Sequence, residues 1–488
     1  MEYKDLLAGI EYTGAAPAGR PTRVVQDSRK VVPGTVFVCI AGRGFDGHDF
    51  AENALAAGAG MVVSQRPLGL PGEVTVADTR AAYAEMSQNF FGRPAEKLSL
   101  VAVTGTNGKT TVSSVLKQVL EGMGHKCGLI GTVASEIGDV EIPAKFTTPE
   151  AWDLAALMSR MVNAGCTHCV MEASSQALAQ GRLHGLRFAL GIFTNLSLDH
   201  LDYHETMEAY FEAKRGLFFR CGAMLCNLDD EYGRRLLGDA ALGGPGGAVK
   251  TVRSFSVASD AADFTARGTD LRANGVRFGF LGEGFLERVT FPIPGDYSVA
   301  NALCAGAAAV MLGGPPGRVA EALSASRGVR GRCEVLHSEN YTVIRDFAHT
   351  GEAMDKLLGS LRPFVQNRMV VLFGCAGERE PTKRLDMGAA AARYGDLVYL
   401  AADNPRREDI LKTMTDAEPP LAASGKPYVM EPDREIATRM ALDALQTGDM
   451  LVLCSKGHED YQAMDGYTLY FDERQILLEW QASKGVNS

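Results

Sequence analysis

The chain has 488 residues, 46% of them hydrophobic and 22% charged, and a formal net charge of −10. That length bounds roughly two to four domains, each able to bury its own core. The acidic balance and the lack of any Lys/Arg-rich tract argue against a nucleic-acid partner. No run of about 18 apolar residues is present, so no membrane span is expected, and residues 1–10 lack the apolar core of a signal peptide. Ten cysteines are scattered, mostly in apolar segments. Cys166 and Cys169 form a C-x-x-C, but no second pair sits at zinc spacing, so all ten read as core thiols in a reducing cytoplasm.

Residues 1–97 predict a small α/β domain, with strands at 35–40, 61–63 and 74–76 and helices at 50–57 and 79–91. Phe91-Gly92-Arg93-Pro94 closes it, because proline cannot continue a helix. The next block, 98–332, opens on the most informative segment of the chain. A strand at 98–103 enters Thr104-Gly105-Thr106-Asn107-Gly108-Lys109-Thr110-Thr111, and Val112, Val115, Leu116, Val119, Leu120 and Met123 then recur at helical spacing. Strand, Gly-containing loop, Lys-Thr and helix make a phosphate-binding loop. Backbone N–H groups and the helix N-terminus face the anion, Lys109 offsets phosphate charge, and a hydroxyl at Thr110 or Thr111 reaches a magnesium ion. Val103 stands where the common Walker pattern has its first glycine. The competing reading is a Gly-rich turn with a surface lysine, against which strand, loop and helix all agree.

Strands at 166–172, 190–196 and 223–227 are nearly continuous apolar runs, as expected of buried parallel strands. The segment 243–247, Gly-Gly-Pro-Gly-Gly, reads as a flexible surface loop, and 252–292 as antiparallel strands. In 333–488, strands at 342–347, 369–374, 397–401 and 450–454 alternate with helices such as 352–361 and 434–445. The fold class is therefore α/β in three domains, with boundaries at 1–97, 98–332 and 333–488. The central domain carries the phosphate loop on a doubly wound, mostly parallel sheet, and the C-terminal domain is Rossmann-like.

In such sheets, ligands gather at the carboxyl ends of strands. Glu172-Ala173-Ser174-Ser175-Gln176 follows one strand, and Thr194 to His204 follows the next. A carboxylate at Glu172 and an imidazole at His200 can share a magnesium ion with phosphate oxygens. The plainer reading is helix capping by Ser174 and Asp199. Lys214, on the helix behind that loop, is on spacing alone a solvated surface residue. Thr147-Thr148-Pro149 places two hydroxyls where proline can open a helix. Three charged clusters sit at strand ends in the last block: Asp346 to Thr350, Asp403 to Asp409 and Ser455 to Tyr461. They suggest an anionic or zwitterionic ligand, for which Arg is suited.

These residues resemble the Mur ligases, ATP-dependent amide-bond ligases of peptidoglycan synthesis. The motifs are T-G-T-N-G-K-T-T at 104–111, M-E-A-S-S-Q at 171–176, T-N-L-S-L-D-H-L-D-Y-H at 194–204 and Y-F-E-A-K-R at 210–215. N-A-L at 301–303, G-R-C-E at 331–334, D-F-A-H-T at 346–350 and S-K-G-H-E at 455–459 follow in family order. The segments 27–38 and 46–50 resemble the member that adds the third peptide residue to UDP-N-acetylmuramoyl-L-alanyl-D-glutamate.

The resemblance implies ATP and two magnesium ions. Gly105, Thr106, Asn107, Gly108, Lys109, Thr110 and Thr111 would hold the phosphates, with Asn301, Arg332, Asp346 and His349 completing the ATP site. Thr110 or Thr111 would lie near the first magnesium, and Glu172 and His200 would bind the second. Lys214 would be carbamylated, which reverses the spacing-based reading. Ser28, Thr147, Thr148, Ser174 and Arg182 would hold the UDP-muramoyl substrate. Arg379, Asp403, Asn404, Pro405, Arg406, Ser455 and Glu459 would bind the acceptor, with Arg406 on the distal carboxylate of diaminopimelate. Gly377-Glu378-Arg379-Glu380, Ser455 and Phe347 depart from the family's usual residues and leave lysine open as acceptor. A folylpolyglutamate synthase relative shares the phosphate loop, but 27–38 and 403–406 argue against it. A nucleotide-regulated binding module would have little use for Glu172, His200 and Lys214 together. A monomeric cytoplasmic enzyme is expected.

Overall fold

The computed structural model describes residues 1–42, 44–243 and 248–485. It falls into two compact units: residues 1–265 with 282–285 and 303–322, and residues 266–281 with 286–302 and 323–488.

The first unit begins with a five-stranded sheet. Its spatial order is Tyr12–Gly14, Glu73–Val76, Ala59–Ser64, Thr35–Val38, Val24–Val25. Only Tyr12–Gly14 runs antiparallel to its neighbour. The helix expected at 79–91 spans Thr79–Phe90, and its Asp78 cap accepts from the N–H groups of Arg80 and Ala81. The helix expected at 50–57 is shorter, Ala51–Ala56, because a 3-10 turn at Gly47–Phe50 precedes it.

A second sheet in this unit positions the phosphate loop. Ser99–Thr104 lies between His168–Glu172 and Phe188–Phe193 and runs parallel to both. Cys127–Ile130 continues the sheet on one side, Cys221–Asn227 on the other. Every residue of Ser99–Thr104 except Ser99 is buried, which is why these strands read as unbroken apolar runs. Val112, Val115, Leu116, Val119 and Leu120 of helix Lys109–Gly122 are buried, each contributing roughly 1.5–3 kcal/mol. That packing fixes the helix whose first turn carries the site.

One expectation changes here. Thr251–Ser256 is a parallel partner of Cys221–Asn227, not the first of an antiparallel set. Its exposed first three residues make it an edge-like strand with a mixed pattern, which disguised its partner's direction. Ala134–Ile137 and Val140–Pro143 form an antiparallel extension that the sequence reading did not place. Of the glycine-rich segment at 243–247, residues 244–247 lie outside the described residues.

In the second unit a six-stranded sheet runs Glu334–Ser338, Thr342–Arg345, Met450–Leu453, Met369–Cys375, Leu397–Ala402, Tyr428–Glu431. Only the first pairing is antiparallel. Beyond it a hairpin pairs Tyr461–Ala463 with Thr468–Tyr470, followed by helix Glu473–Ser483. All ten cysteines are buried free thiols. No helix of the described residues is long and apolar enough to cross a membrane.

Candidate active site

The loop after Ser99–Thr104 is shaped by two left-handed glycines. Gly105 has φ +149° and Gly108 φ +84°. A Cβ at Gly105 would collide with the Thr194 hydroxyl, so the backbone approach there requires glycine. The neighbouring strand end braces the loop. Thr106 N donates to Asn195 O at 2.9 Å and Asn107 N to Asn195 Oδ1 at 2.9 Å. Thr194 Oγ1 donates to Asn107 O at 2.6 Å. Lys109 Nζ folds back onto the carbonyls of Gly105 and Thr106, at 3.0 and 2.9 Å.

Glu172, at the end of the adjacent strand, is 1% exposed. Its carboxylate accepts from Thr110 Oγ1 at 3.1 Å, Thr132 N at 2.8 Å and Thr132 Oγ1 at 3.0 Å. Thr110 is thus the hydroxyl that joins the helix start to the acid, while Thr111 is buried beside it. Lys214 reaches the same loop from helix Met207–Arg215. It is 1% exposed and its Nζ donates to Gly105 O at 2.7 Å. The solvated-surface reading of Lys214 is therefore overturned: the helix turns Tyr210, Phe211 and Lys214 inward together. Burial first, then the charge of Lys109, holds the Lys214 amine well below its usual pKa, opposed by Asp199.

His200 sits in a left-handed conformation at φ +56° and occupies the N-cap position of helix Leu201–His204 without a side-chain capping bond. Asp199 does not cap that helix; its Oδ1 accepts from His200 N at 2.8 Å. Burial lowers the His200 pKa; Asp199 opposes the shift, and Lys109 and Lys214 reinforce it. A neutral imidazole at this strand end keeps a lone pair for a cation. Among the described residues no cluster of three or more His, Cys, Asp or Glu forms a ready-made metal site. Glu172 and His200 would need a further oxygen donor.

Thr148, Ser174 and Arg182 form one connected group. Thr148 Oγ1 donates to Glu172 O at 2.8 Å and accepts from Ser174 N at 3.0 Å. Arg182 Nη1 donates to Thr148 O at 2.8 Å, and its Nε lies 2.9 Å from Glu150. Thr147 Oγ1 is 3.0 Å from Thr132 Oγ1. Pro149 does not open the following helix, since Glu150 is the cap and the helix starts at Ala151. Ser174 does cap its helix, accepting from Ala177 N. Close by, a cavity of about 360 Å³ is lined by Gln26, Asp27, Lys30, Tyr83, Phe146 and Trp152, among others. Ser28 lies half-buried between Asp27 and Lys30.

In the second unit, Asp346 accepts from Cys333 N at 2.6 Å and Ala348 N at 2.7 Å. Burial raises its pKa while Arg332 opposes the shift. The Arg332 guanidinium lies 4.9 Å from the Phe347 ring, which packs on His349 at 4.7 Å and His458 at 5.0 Å. Asn301 is half-buried, four residues past Tyr297 on helix Tyr297–Met311, and Tyr297 senses the charge of Asp346.

The acceptor residues converge on two crossing loops. Gly377 N donates to Asn404 O at 2.9 Å, and Arg406 Nη1 to Gly377 O at 2.9 Å. A Cβ at Gly377 would strike the Pro405 carbonyl. Asp403 is 5% exposed, and its Oδ1 has no hydrogen-bond partner. Arg406 is half-buried, and among the described residues it has no carboxylate partner. Ser455 has φ +81° and donates from Oγ to Gly374 O at 2.8 Å. The Arg379 side chain is exposed, since its loop bulges outward at Glu378, φ +54°.

Family models for the Mur ligase family catalytic domain, the Mur ligase middle domain and the Mur ligase glutamate ligase domain match residues 22–89, 103–309 and 331–457. A relative from Clostridium perfringens, named UDP-N-acetylmuramoyl-L-alanyl-D-glutamate–2,6-diaminopimelate ligase, is 38% identical over 98% of this chain and 99% of its own. The chain belongs to the Mur ligase family. A Geobacillus thermodenitrificans ligase of the same name is 37% identical, covering 98% of each chain. A solved structure bearing that ligase name matches with a TM-score of 0.74 at 30% identity, covering 99% of each chain.

For this Mur ligase, the residues singled out by motif meet around the phosphate loop (Lys109, Thr110, Glu172 and Lys214) and in one connected group (Thr148, Ser174 and Arg182). They missed Thr132, which supplies two of the three donors to Glu172, and Lys456, which is fully buried among the acceptor residues. Thr132 carried no motif. Lys456 stood inside one, where only its neighbours attracted a role.

Proposed function

We propose that the chain is an ATP-dependent ligase that adds meso-2,6-diaminopimelate to the D-glutamate of UDP-N-acetylmuramoyl-L-alanyl-D-glutamate. The observation that carries the acceptor assignment is that Arg406, which among the described residues has no carboxylate partner, shares a loop with Asp403, whose Oδ1 makes no hydrogen bond and only a 3.6 Å ion pair with Lys456. One side suits a carboxylate and the other an ammonium, as a zwitterionic chain end requires. Lysine has no distal carboxylate for Arg406.

Residues 1–97 with Thr147, Thr148, Ser174 and Arg182 would hold the UDP-muramoyl substrate, 98–332 would carry the ATPase site and 333–488 the acceptor. The cavity beside Asp27 and Trp152, with Arg182 at its Glu150 edge, supports that placement for the UDP substrate. Asn301, Arg332, Asp346 and His349 would complete the nucleotide site. The glutamate γ-carboxylate takes the γ-phosphoryl group of ATP, giving an acyl phosphate and ADP. The acceptor amine then attacks the acyl carbon, and phosphate leaves. Lys109 and the Gly105–Thr110 amides would offset charge on the transferring group.

Two magnesium ions, when bound, would neutralise phosphate oxygens. Thr110, Glu172 and His200 supply the donor types for that role: a hydroxyl bonded to the acid at one strand end, and an imidazole after the neighbouring strand with its pKa held down by burial. Lys214 fits carbamylation: burial and Lys109 disfavour its ammonium form, and the free amine is the form that adds CO2, releasing a proton and gaining an anionic oxygen. The protein would act as a cytoplasmic monomer. Incubation with ATP, magnesium, UDP-muramoyl dipeptide and meso-diaminopimelate yields, on this reading, a product heavier by one diaminopimelate less one water. Mass spectra with unchanged substrate would overturn it.

A further inference from the structure

Lys456 is the most enclosed charge of the acceptor region, 0% exposed. Its Nζ lies 2.7 Å from Glu459 Oε2, 3.0 Å from Asn404 Oδ1 and 3.6 Å from Asp403 Oδ1. The Tyr461 ring centroid is 5.2 Å away. The backbone turns this side chain inward. Ser455 and Gly457 on either side both have positive φ, +81° and +50°. Ser455 N donates to Ala348 O at 3.1 Å, and a Cβ at Gly457 would sit 2.6 Å from the Phe347 Cβ. The lysine is therefore held by a turn that has little freedom to move.

The network it centres is closed on itself. Asn404 Oδ1 accepts from Lys456 Nζ and from Ala463 N at 2.8 Å, while its Nδ2 donates to Glu459 Oε2 at 2.9 Å. That pattern fixes which way the Asn404 amide points. Glu459 Oε2 takes both Lys456 and Asn404, which leaves Oε1 turned outward toward the Tyr461 hydroxyl at 3.4 Å. Asp403 and Glu459 together carry two negative charges in a nearly dry site, and Lys456 returns one positive charge.

We infer that Lys456 is a positioning residue for the acceptor: it orients Glu459 and Asn404 and leaves the Asp403–Glu459–Lys456 cluster, Arg406 aside, with a single net negative charge, suited to one ammonium group. It rests on the acceptor site assigned above and adds the group that arranges it. Lys456 touches no reacting atom; it acts through Glu459.

The test is a double-substitution cycle with Lys456→Met, Glu459→Gln and both together, reading KM for meso-diaminopimelate, ATP and UDP-muramoyl dipeptide, with thermal melts of each protein. Lys456→Met is expected to raise the diaminopimelate KM roughly tenfold or more, with the other two KM values within about twofold. The double variant should be no worse than Glu459→Gln by more than about twofold, since both remove the same arrangement. Additive losses, or equal changes in all three KM values, would overturn the inference. If Lys456→Met does not fold, Lys456→Gln replaces it, and failure of both to fold makes the residue structural and overturns the inference too. Wild-type protein with no diaminopimelate-dependent turnover would instead remove the underlying function.

Discussion

The Lys214 nitrogen lies 2.7 Å from the Gly105 carbonyl oxygen, so a buried amine and the phosphate loop are in direct contact across 109 positions of sequence. This contact ties helix Met207–Arg215 to the first turn of the nucleotide site. It also explains why burial and Lys109 hold the amine below its ordinary pKa.

The unfolded chain exposes Lys214 with an ordinary pKa of about 10.4. In CO2-free buffer the folded protein then binds fewer protons than the unfolded chain between its depressed pKa and that value, and over that window wild-type stability rises with pH from this group. Lys214→Met should lack that rise, so wild-type stability minus that of the variant increases as pH rises. A difference that stays constant from neutral pH to about pH 10 would contradict a neutral Lys214. The same variant should lose nearly all phosphate release.

Glu172→Gln replaces an acceptor-only group by an amide facing three donors from Thr110 and Thr132. A charged hydrogen bond of this kind is worth about 1.5–3 kcal/mol. The expected fall in kcat/KM is roughly 10- to 150-fold, measured at saturating magnesium. Unchanged kinetics would remove Glu172 from the site.

Arg406→Ala should raise KM for diaminopimelate by about 2–3 kcal/mol, roughly 30- to 150-fold, with the ATP KM unchanged. Steady-state kinetics varying each substrate in turn measure this. Equal effects on both would take Arg406 out of the acceptor site.

Burial holds the His458 pKa down at about 4, with Arg332 adding to the shift. The unfolded chain takes up that proton below about pH 6.5. Between these values the unfolded state binds more protons, so this histidine makes stability fall as pH drops. His458→Asn should remove that part of the acid slope in melts between pH 7 and 4.

The alternation of apolar runs made the parallel sheets and the phosphate loop legible, because a strand buried on both faces must be apolar throughout. Thr251–Ser256 escaped because its first half is exposed. Lys214 was misread by spacing alone, since charge on a helix is normally solvated; only the motif around it pointed inward. Glu172 was found from its strand-end position, but Thr132 was not, because a lone threonine in a turn carries no periodicity. Asn404 and Glu459 were legible as acceptor motifs, whereas their dependence on Lys456 needed three loops brought together in space.

The most direct measurement is phosphate release with ATP, magnesium and UDP-muramoyl dipeptide, with meso-diaminopimelate or L-lysine added in separate reactions. Turnover is expected with diaminopimelate and little with lysine, because Arg406 has a distal carboxylate to bind only in the first. Turnover with lysine at least equal to that with diaminopimelate would contradict it.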